Sequence, residues 1–119
     1  MKYMLLIYNN PDQEPKYGTK PFEDMMNGFF AASERMRNDK VLCDGEGLQV
    51  IETATGLRIK SGKVETMAGP FADTREHLGG YYVVDVADID SALEYAALIP
   101  SASFGTIEVR PLMDYNPAG

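Results

Sequence analysis

The chain has 119 residues, 45% hydrophobic and 24% charged, a composition typical of one globular domain with a modest core. Its net charge of −7 argues against a nucleic-acid backbone or an anionic membrane as the partner, since both would repel it. The single cysteine, Cys43, excludes an internal disulfide and a multi-cysteine metal site. No apolar stretch approaches the roughly 20 residues of a membrane span. Because the chain opens on a strand pattern without a leader, we expect a cytoplasmic protein.

The first half of the chain predicts a strand, a helix and a second strand. Residues Tyr3 to Tyr8 are apolar on both alternating faces, so both faces of this strand require cover. A polar loop then precedes a helix over Pro21 to Asp39, whose methionine and phenylalanine stripe is typical of a core. Gly28 in its middle predicts the close approach of another element. The second strand is expected over Val41 to Glu52, with Gly45-Glu46-Gly47 as a bulge in its path.

The second half predicts a hairpin, two strands and a second helix. Residues Leu57 to Thr66 alternate around Ser61-Gly62, which is a two-residue hairpin turn. Tyr81 to Val86 has little contrast between its two faces, as expected of a strand buried on both. Asp88 can cap a helix that runs to Ile99 before Pro100 stops it. The last strand, Thr106 to Arg110, alternates cleanly between apolar and charged side chains.

This element order predicts an α+β fold, a ferredoxin-like βαββαβ sandwich with an inserted β-hairpin. Two helices cover only one face of its sheet. The other face also carries apolar groups on the first and penultimate strands, and a soluble monomer would not tolerate so large an exposed apolar area. We therefore expect a symmetric homodimer that packs sheet to sheet, although a different protein chain would cover the face equally well.

The segment from Gly69 to Gly80 is the strongest candidate for a functional loop, because polar residues between two strands often carry chemistry. It contains His77, the only histidine, whose imidazole can take up and return a proton near neutral pH. If Asp73 to His77 forms a helical turn, the carboxylate lies on the same face and can orient the imidazole. These two residues are the predicted catalytic pair. The alternative is a surface histidine in a charged loop.

Other residues could complete a ligand site around this loop. Glu46 could project from its bulge into a cleft, or it is a solvated carboxylate. Arg110 could hold an organic anion with two parallel hydrogen bonds, or it forms a surface pair with Glu108 on an edge strand. Cys43 lacks an activating context and is expected to be a buried or inert thiol. The predicted ligand-binding residues are Glu46, Gly69, Pro70, Phe71, Thr74 and Arg110, and no metal or cofactor is expected because no phosphate loop, dinucleotide fingerprint, zinc motif or nucleophile elbow occurs.

Several separated motifs resemble one known family. The run AGPFADTREHLGGYY over 68–82 is followed by VDV at 84–86, ALE at 92–94 and IEVRP at 107–111, in an order similar to that of the DGPF branch of the YCII-related family. MKYMLLIY at 1–8 and GEGLQ at 45–49 are similar to that branch's first strand and second motif. The resemblance covers nearly all of residues 1–119 as a single YCII-like domain. One residue departs from the pattern, since Ala68 replaces the aspartate of the DGPF motif.

The resemblance implies a dimeric α/β barrel and leaves two functions open. One is a regulatory or binding module for a small acidic ligand or a protein, since members of this branch are often encoded beside extracytoplasmic-function sigma factors. The other is a cofactor-free enzyme, because a His and Asp pair is proposed for YCII-type proteins in proton transfer or elimination on small acids. The pair does not map cleanly here, since the first helix holds no histidine and Ala68 replaces the branch's aspartate.

Overall fold

The computed structural model describes residues 1–115, which form six strands and two α-helices. In chain order these are β1 (Lys2–Asn9), α1 (Lys20–Asn38), β2 (Leu42–Gly47), β3 (Thr55–Lys60), β4 (Lys63–Ala68), β5 (His77–Asp85), α2 (Ile89–Ala96) and β6 (Gly105–Pro111). Short 3-10 turns cover Ile51–Thr53 and Pro100–Ser103. Among the described residues, no helix has both the length and the apolar character needed to cross a bilayer.

Four strands form one antiparallel sheet in the order β2-β5-β1-β6. The first strand lies in the centre, between β5 and β6, which is consistent with the ferredoxin-like arrangement. β3 and β4 form a separate two-stranded sheet inserted between β2 and β5. The predicted α+β class and the inserted hairpin are therefore confirmed.

The core lies between one face of the four-stranded sheet and the two helices. Alternate residues of β1, namely Tyr3, Leu5 and Ile7, are buried on this face. From the helices, Met36 and Ala92 are fully buried against them. Burial of each such large apolar side chain contributes about 1.5–3 kcal/mol to the free energy of unfolding.

The helix ends follow local sequence signals. The Thr19 hydroxyl oxygen accepts a hydrogen bond from the Phe22 N–H at 3.3 Å, so α1 begins one residue earlier than the predicted Pro21. Asp88 caps α2 as predicted, since its carboxylate accepts from the Ser91 N–H at 2.9 Å. α2 ends at Ala96 rather than Ile99, because the N–H groups of Leu98 and Ile99 donate to carbonyls only three residues earlier, and the 3-10 turn at Pro100–Ser103 follows.

Gly28 marks a close helix contact, as predicted. A Cβ atom at this position would lie 2.7 Å from Cγ of Pro100, so only glycine lets α1 approach the 3-10 turn this closely. Two other predictions are corrected. β2 ends at Gly47 instead of Glu52, since only Leu48 N–H still bonds β5, donating to Gly79 O at 2.8 Å. Cys43 was predicted to be a buried or inert thiol, and the buried alternative is wrong, since Cys43 is exposed on this outer strand.

The hairpin formed by Thr55–Ala68, hereafter the hairpin arm, extends away from the rest of the chain. Ser61 and Gly62 have φ angles of 50° and 76°, so both residues of the two-residue turn are left-handed, as the twist of a tight hairpin requires. The radius of gyration is 16.5 Å, whereas a compact chain of 119 residues has about 13.5 Å. The molecule is only 18 Å thick and extends 50 and 48 Å along its other axes.

The face of the four-stranded sheet opposite the helices, hereafter the open face, has no cover in a single chain. It displays Met4, Leu6 and Tyr8 from β1 with Tyr81 and Val83 from β5. Val83 is buried, while the other four are half-buried. The open face is therefore an apolar strip in the centre of a thin molecule.

Candidate functional site

A cavity of about 430 Å³ lies where the hairpin arm joins the four-stranded sheet. Five of the residues predicted to form a site line it: Gly69, Pro70, Phe71, Thr74 and His77. Tyr8 of the open face and its register partner Leu78 form another wall. The cavity therefore opens at the end of the open face.

Short contacts fix the loop over this cavity. Gly69 has a φ of 86°, a left-handed conformation that suits glycine, and its N–H donates to Ala54 O at 2.7 Å. This bond closes the base of the hairpin arm. Further along, the Thr74 hydroxyl donates to Glu76 O at 2.8 Å. Both bonds hold the loop at its two ends, so the intervening Pro70 and Phe71 are presented to the cavity.

His77 is the first residue of β5, and it pairs with Asn9 at the end of β1. It is half-buried and lines the cavity. Residues 73–77 form no helical turn, and within residues 1–115 no hydrogen bond or ion pair joins Asp73 to His77. Asp73 is exposed and does not line the cavity. The four-residue spacing therefore does not bring the predicted catalytic pair together.

The acidic residue that lines the cavity beside His77 is Glu76, and not Asp73. It is half-buried, lies next to His77 in the chain and lines the same cavity. Glu76 was not predicted as a site residue, because the predicted pair depends on a helical turn at residues 73–77, and an extended chain presents different side chains from a helix. Glu76 and His77 thus both line this cavity.

Most of the cavity surface is apolar. Tyr8, Ile51, Phe71, Ala72 and Leu78 supply the larger apolar walls. The polar side chains come from Thr55, Thr74, Glu76 and His77. Such a surface suits a small ligand with an apolar body and one polar group, because apolar walls give affinity and a few polar groups fix orientation.

Several lining residues were not predicted from the sequence. Tyr8, Ile51, Ala54 and Gly56 come from three segments that only the tertiary fold brings together. Tyr8 carried one usable signal, since it is the last residue of an alternating strand whose open face requires cover. Ile51 carried none, because the second strand was expected to continue through it.

Glu46 and Arg110 lie elsewhere. Glu46 lines a cleft of about 520 Å³ between α1 and the β2 edge, together with Phe22 and Phe29. Arg110 lines a groove beside the C-terminal segment and pairs with Met4, at the opposite end of β1 from the Asn9 and His77 pair. Five residues of strand span about 17 Å. One small ligand therefore cannot contact both Arg110 and His77 of the same chain.

The two tyrosines of β5 both make hydrogen bonds. The Tyr81 hydroxyl donates to the Asp44 carboxylate at 3.1 Å, and this bond raises the pKa of Tyr81 because the proton is held between them. The Tyr82 hydroxyl lies 2.7 Å from the Ser33 hydroxyl. Neither tyrosine lines the cavity at the hairpin arm. Within residues 1–115, no three His, Cys, Asp or Glu side chains are grouped as metal ligands would be.

Comparisons with known proteins support one family. The model of the YCII-related domain matches residues 1–116. A relative, the "Uncharacterized protein R00369" of Rhizobium meliloti (strain 1021), is 34% identical over 119 residues, which are 98% of this chain and 96% of the relative. The predicted family is therefore confirmed: the chain belongs to the YCII-related family.

Proposed function

We propose that this protein binds a small organic acid in the cavity between the Gly69–Gly80 segment and the hairpin arm. The observation that carries the proposal is the shared lining of one 430 Å³ cavity by five of the residues predicted as a site. The largely apolar wall packs against the body of the ligand. His77 and the Thr55 hydroxyl supply the hydrogen-bond donors that a carboxylate needs, while the Thr74 hydroxyl is already donated to Glu76 O.

Charge on the ligand gives His77 its role in this proposal. A carboxylate bound next to the imidazole favours the charged imidazolium, and a charge-assisted hydrogen bond is stronger than a neutral one. Glu76 lies on the same wall and would repel a dianion. We therefore expect a monoacid with an apolar body to bind better than a small dicarboxylate.

Thermal unfolding against small carboxylates, phosphonates and hydroxymuconate-like acids tests this proposal. A bound acid at 100 times its dissociation constant adds about 2.7 kcal/mol to the free energy of unfolding and raises the melting temperature. We expect a saturable rise that His77→Ala abolishes. Arg110→Ala is the matched control, because it removes a cation that lies outside the cavity. No saturable rise with any acid, or a rise that survives His77→Ala, would overturn the proposal.

A cofactor-free acid–base enzyme is the second candidate, and one observation favours it. Glu76 and His77 line the same cavity, so an acid and a base can reach one bound molecule. The test is exchange of a carbon-bound proton of the bound acid with deuterated solvent, followed by NMR. An enzyme of this kind exchanges the proton, and His77→Ala does not. Binding without exchange would leave a ligand-binding module.

The assembly that we propose for this site is a homodimer packed open face to open face, as in a dimeric α/β barrel of the DGPF branch. The chain exposes 8547 Å², whereas a compact monomer of 13.2 kDa exposes about 6,400 Å². The excess of about 2,000 Å² exceeds the roughly 800 Å² that each partner buries in a standard interface. Light scattering at micromolar concentration should give twice the chain mass, and a monomer would contradict the dimer.

A regulatory association with a sigma-factor-linked protein is compatible with ligand binding, and a cytoplasmic location would suit it. If the bound acid changes the surface of the chain, it could change the affinity of the chain for a protein partner. Phe71 lines the cavity and is 76% exposed in a single chain, so a ligand that moves this side chain would alter the surface of the loop. Co-purification of one defined partner with the wild type, lost in the presence of the acid, would support this role.

A further inference from the structure

The hairpin arm lacks the support that a two-stranded sheet needs. Its strands pair with each other but pack on no other element of the described chain to any comparable extent. Leu57, Ile59 and Val64 are 60%, 67% and 62% exposed. A hairpin standing alone in water is marginally stable at best. The arm therefore requires a surface that this chain does not supply to itself.

The exposed apolar groups of the arm share one face. Ile59 is the register partner of Val64, and Leu57 is the partner of Thr66, so these four side chains point to the same side. The other side carries the Arg58 and Glu65 pair and the Lys60 and Lys63 pair. The arm is thus amphipathic, with an apolar face suited to packing and a charged face suited to solvent.

The net charge of the arm is opposite in sign to that of the rest of the chain. The arm contains three of the chain's 11 basic residues and one of its 18 acidic residues, so it carries +2 while the remaining chain carries −9. The segments around the cavity mouth hold Glu52, Asp73 and Glu76 against Arg75 alone. The opposite net charges of the arm and the rim attract two copies of this chain to each other, while the contact itself falls to the apolar face of the arm.

The arm cannot cover the cavity at its own base. Six residues of strand extend about 20 Å, so Ile59 and Val64 near the turn lie far from the rim where the arm begins. The rim has an uncovered apolar group of its own, the Phe71 ring. In a dimer with two-fold symmetry, the arm of each copy can pack on the cavity rim of the other copy.

We propose that the hairpin arm of each copy packs its apolar face on the cavity rim of a second copy, against Phe71, and closes that copy's cavity. The inference rests on the proposed dimer and on the proposed ligand cavity. It assigns the complete binding site to two chains, since the arm of one copy forms the outer wall over His77 of the other. A monomer would hold only a half-open cavity.

Photo-crosslinking tests the contact directly. A photoreactive amino acid at position 59 should give a covalent dimer, and mass spectrometry should place the crosslink in residues 69–76 of the other copy. The same group at position 89, on the N-terminal end of α2 in the helix layer, is the control and should give no dimer crosslink. Crosslinks from position 59 that stay within one chain, or that reach the helices of the other copy, would overturn the proposal.

Paired substitutions test the arm contact separately from the proposed sheet-to-sheet dimer and the proposed ligand cavity. Ile59→Thr with Val64→Thr keeps β-branched side chains in an exposed hairpin but removes the apolar face, and it should weaken the dimer at least tenfold. Ile89→Thr makes the same chemical change at an exposed residue of α2 and should leave the dimer unchanged. A wild-type dimer unaffected by the double substitution would overturn the arm contact and leave the sheet-to-sheet dimer standing. A wild-type monomer would overturn both, while the acid-dependent melt would still decide the ligand proposal.

Discussion

The two sheets of this molecule are built from similar residues but are stabilised in different ways. β1 of the four-stranded sheet carries apolar side chains on both faces, and β3 of the hairpin arm carries Leu57 and Ile59 on one face. Leu5 of β1 is fully buried, whereas Leu57 of β3 is mostly exposed. β1 has a strand on each side and a helix layer over one face, while β3 has one strand partner and no layer. The sequence pattern therefore predicts a strand in both places, but the strands and helices that pack around each one determine how much it contributes to stability.

The largest expected contrast comes from the same truncation in each sheet. Leu5→Ala should lower the free energy of unfolding by about 2–5 kcal/mol, because it leaves a cavity in a closed core. Leu57→Ala should change the unfolding of the monomer by no more than about 0.5 kcal/mol, because the side chain is already in water. Urea unfolding at a concentration low enough to give monomers measures both. Equal losses would show that the arm is packed within its own chain.

A smaller effect tests how tightly the helix layer sits on the sheet. Gly28→Ala should lower the free energy of unfolding by about 1 kcal/mol, since overpacking against Pro100 costs about 1–3 kcal/mol and alanine returns about 1 kcal/mol of helix propensity. In a Pro100→Ala background the ring is absent, and Gly28→Ala should become stabilising. A loss of equal size in both backgrounds would show that Pro100 is not the obstacle.

The smallest effect concerns a polar contact between the two helices. The Tyr95 hydroxyl donates to the Asp39 carboxylate at 2.7 Å, and Arg35 Nε donates to the same oxygen at 2.9 Å. The hydrogen bond from Tyr95 is the main cause that lowers the pKa of Asp39, and the hydrogen bond from Arg35 is the second. The same bond to Asp39 raises the pKa of Tyr95. The stabilisation from Asp39 is thus present above the usual carboxyl pKa of about 4 and is lost as pH falls through its lowered pKa.

Tyr95→Phe isolates this contact. The variant should be less stable than the wild type at neutral pH, and the difference should shrink as acid protonates Asp39 or as alkali ionises the wild-type Tyr95 above about pH 10. Urea unfolding from pH 3 to pH 11 gives the comparison, and Tyr115→Phe at an exposed tyrosine is the matched control. A difference that does not vary with pH would mean that the phenol ring packing, and not the hydrogen bond, is responsible.

Much of the fold could be predicted because its signals are local. The alternation of Tyr3 to Tyr8, the cap at Asp88 and the positive-φ turn at Ser61-Gly62 each depend on a few adjacent residues. The end of β2 could not be predicted, because it depends on where the chain after Gly47 turns away from β5, which itself extends to His77. The close contact at Gly28 was predictable only as an unspecified neighbour, since Pro100 is 72 residues away in the chain.

The candidate site was predictable in part. Gly69, Pro70, Phe71, Thr74 and His77 line one cavity because they lie close together in a single segment of the chain. Glu46 and Arg110 were grouped with them by chemistry, and the register of β1 separates Arg110 from His77. Glu76 was not predicted as a site residue, because the predicted pair depends on a helical turn at residues 73–77. Side-chain direction in a loop depends on backbone angles that composition does not specify.

Amide hydrogen exchange at several protein concentrations tests the central claim, that the arm is stabilised by a second copy. We expect slow exchange for β3 and β4 amides at high concentration and fast exchange on dilution, while β1 amides in the centre of the four-stranded sheet remain protected throughout. Ile59→Thr with Val64→Thr should show the dilute behaviour at every concentration. In the wild-type protein, an exchange rate of the arm amides that does not change with concentration, whether fast or slow, would contradict stabilisation of the arm by a second copy.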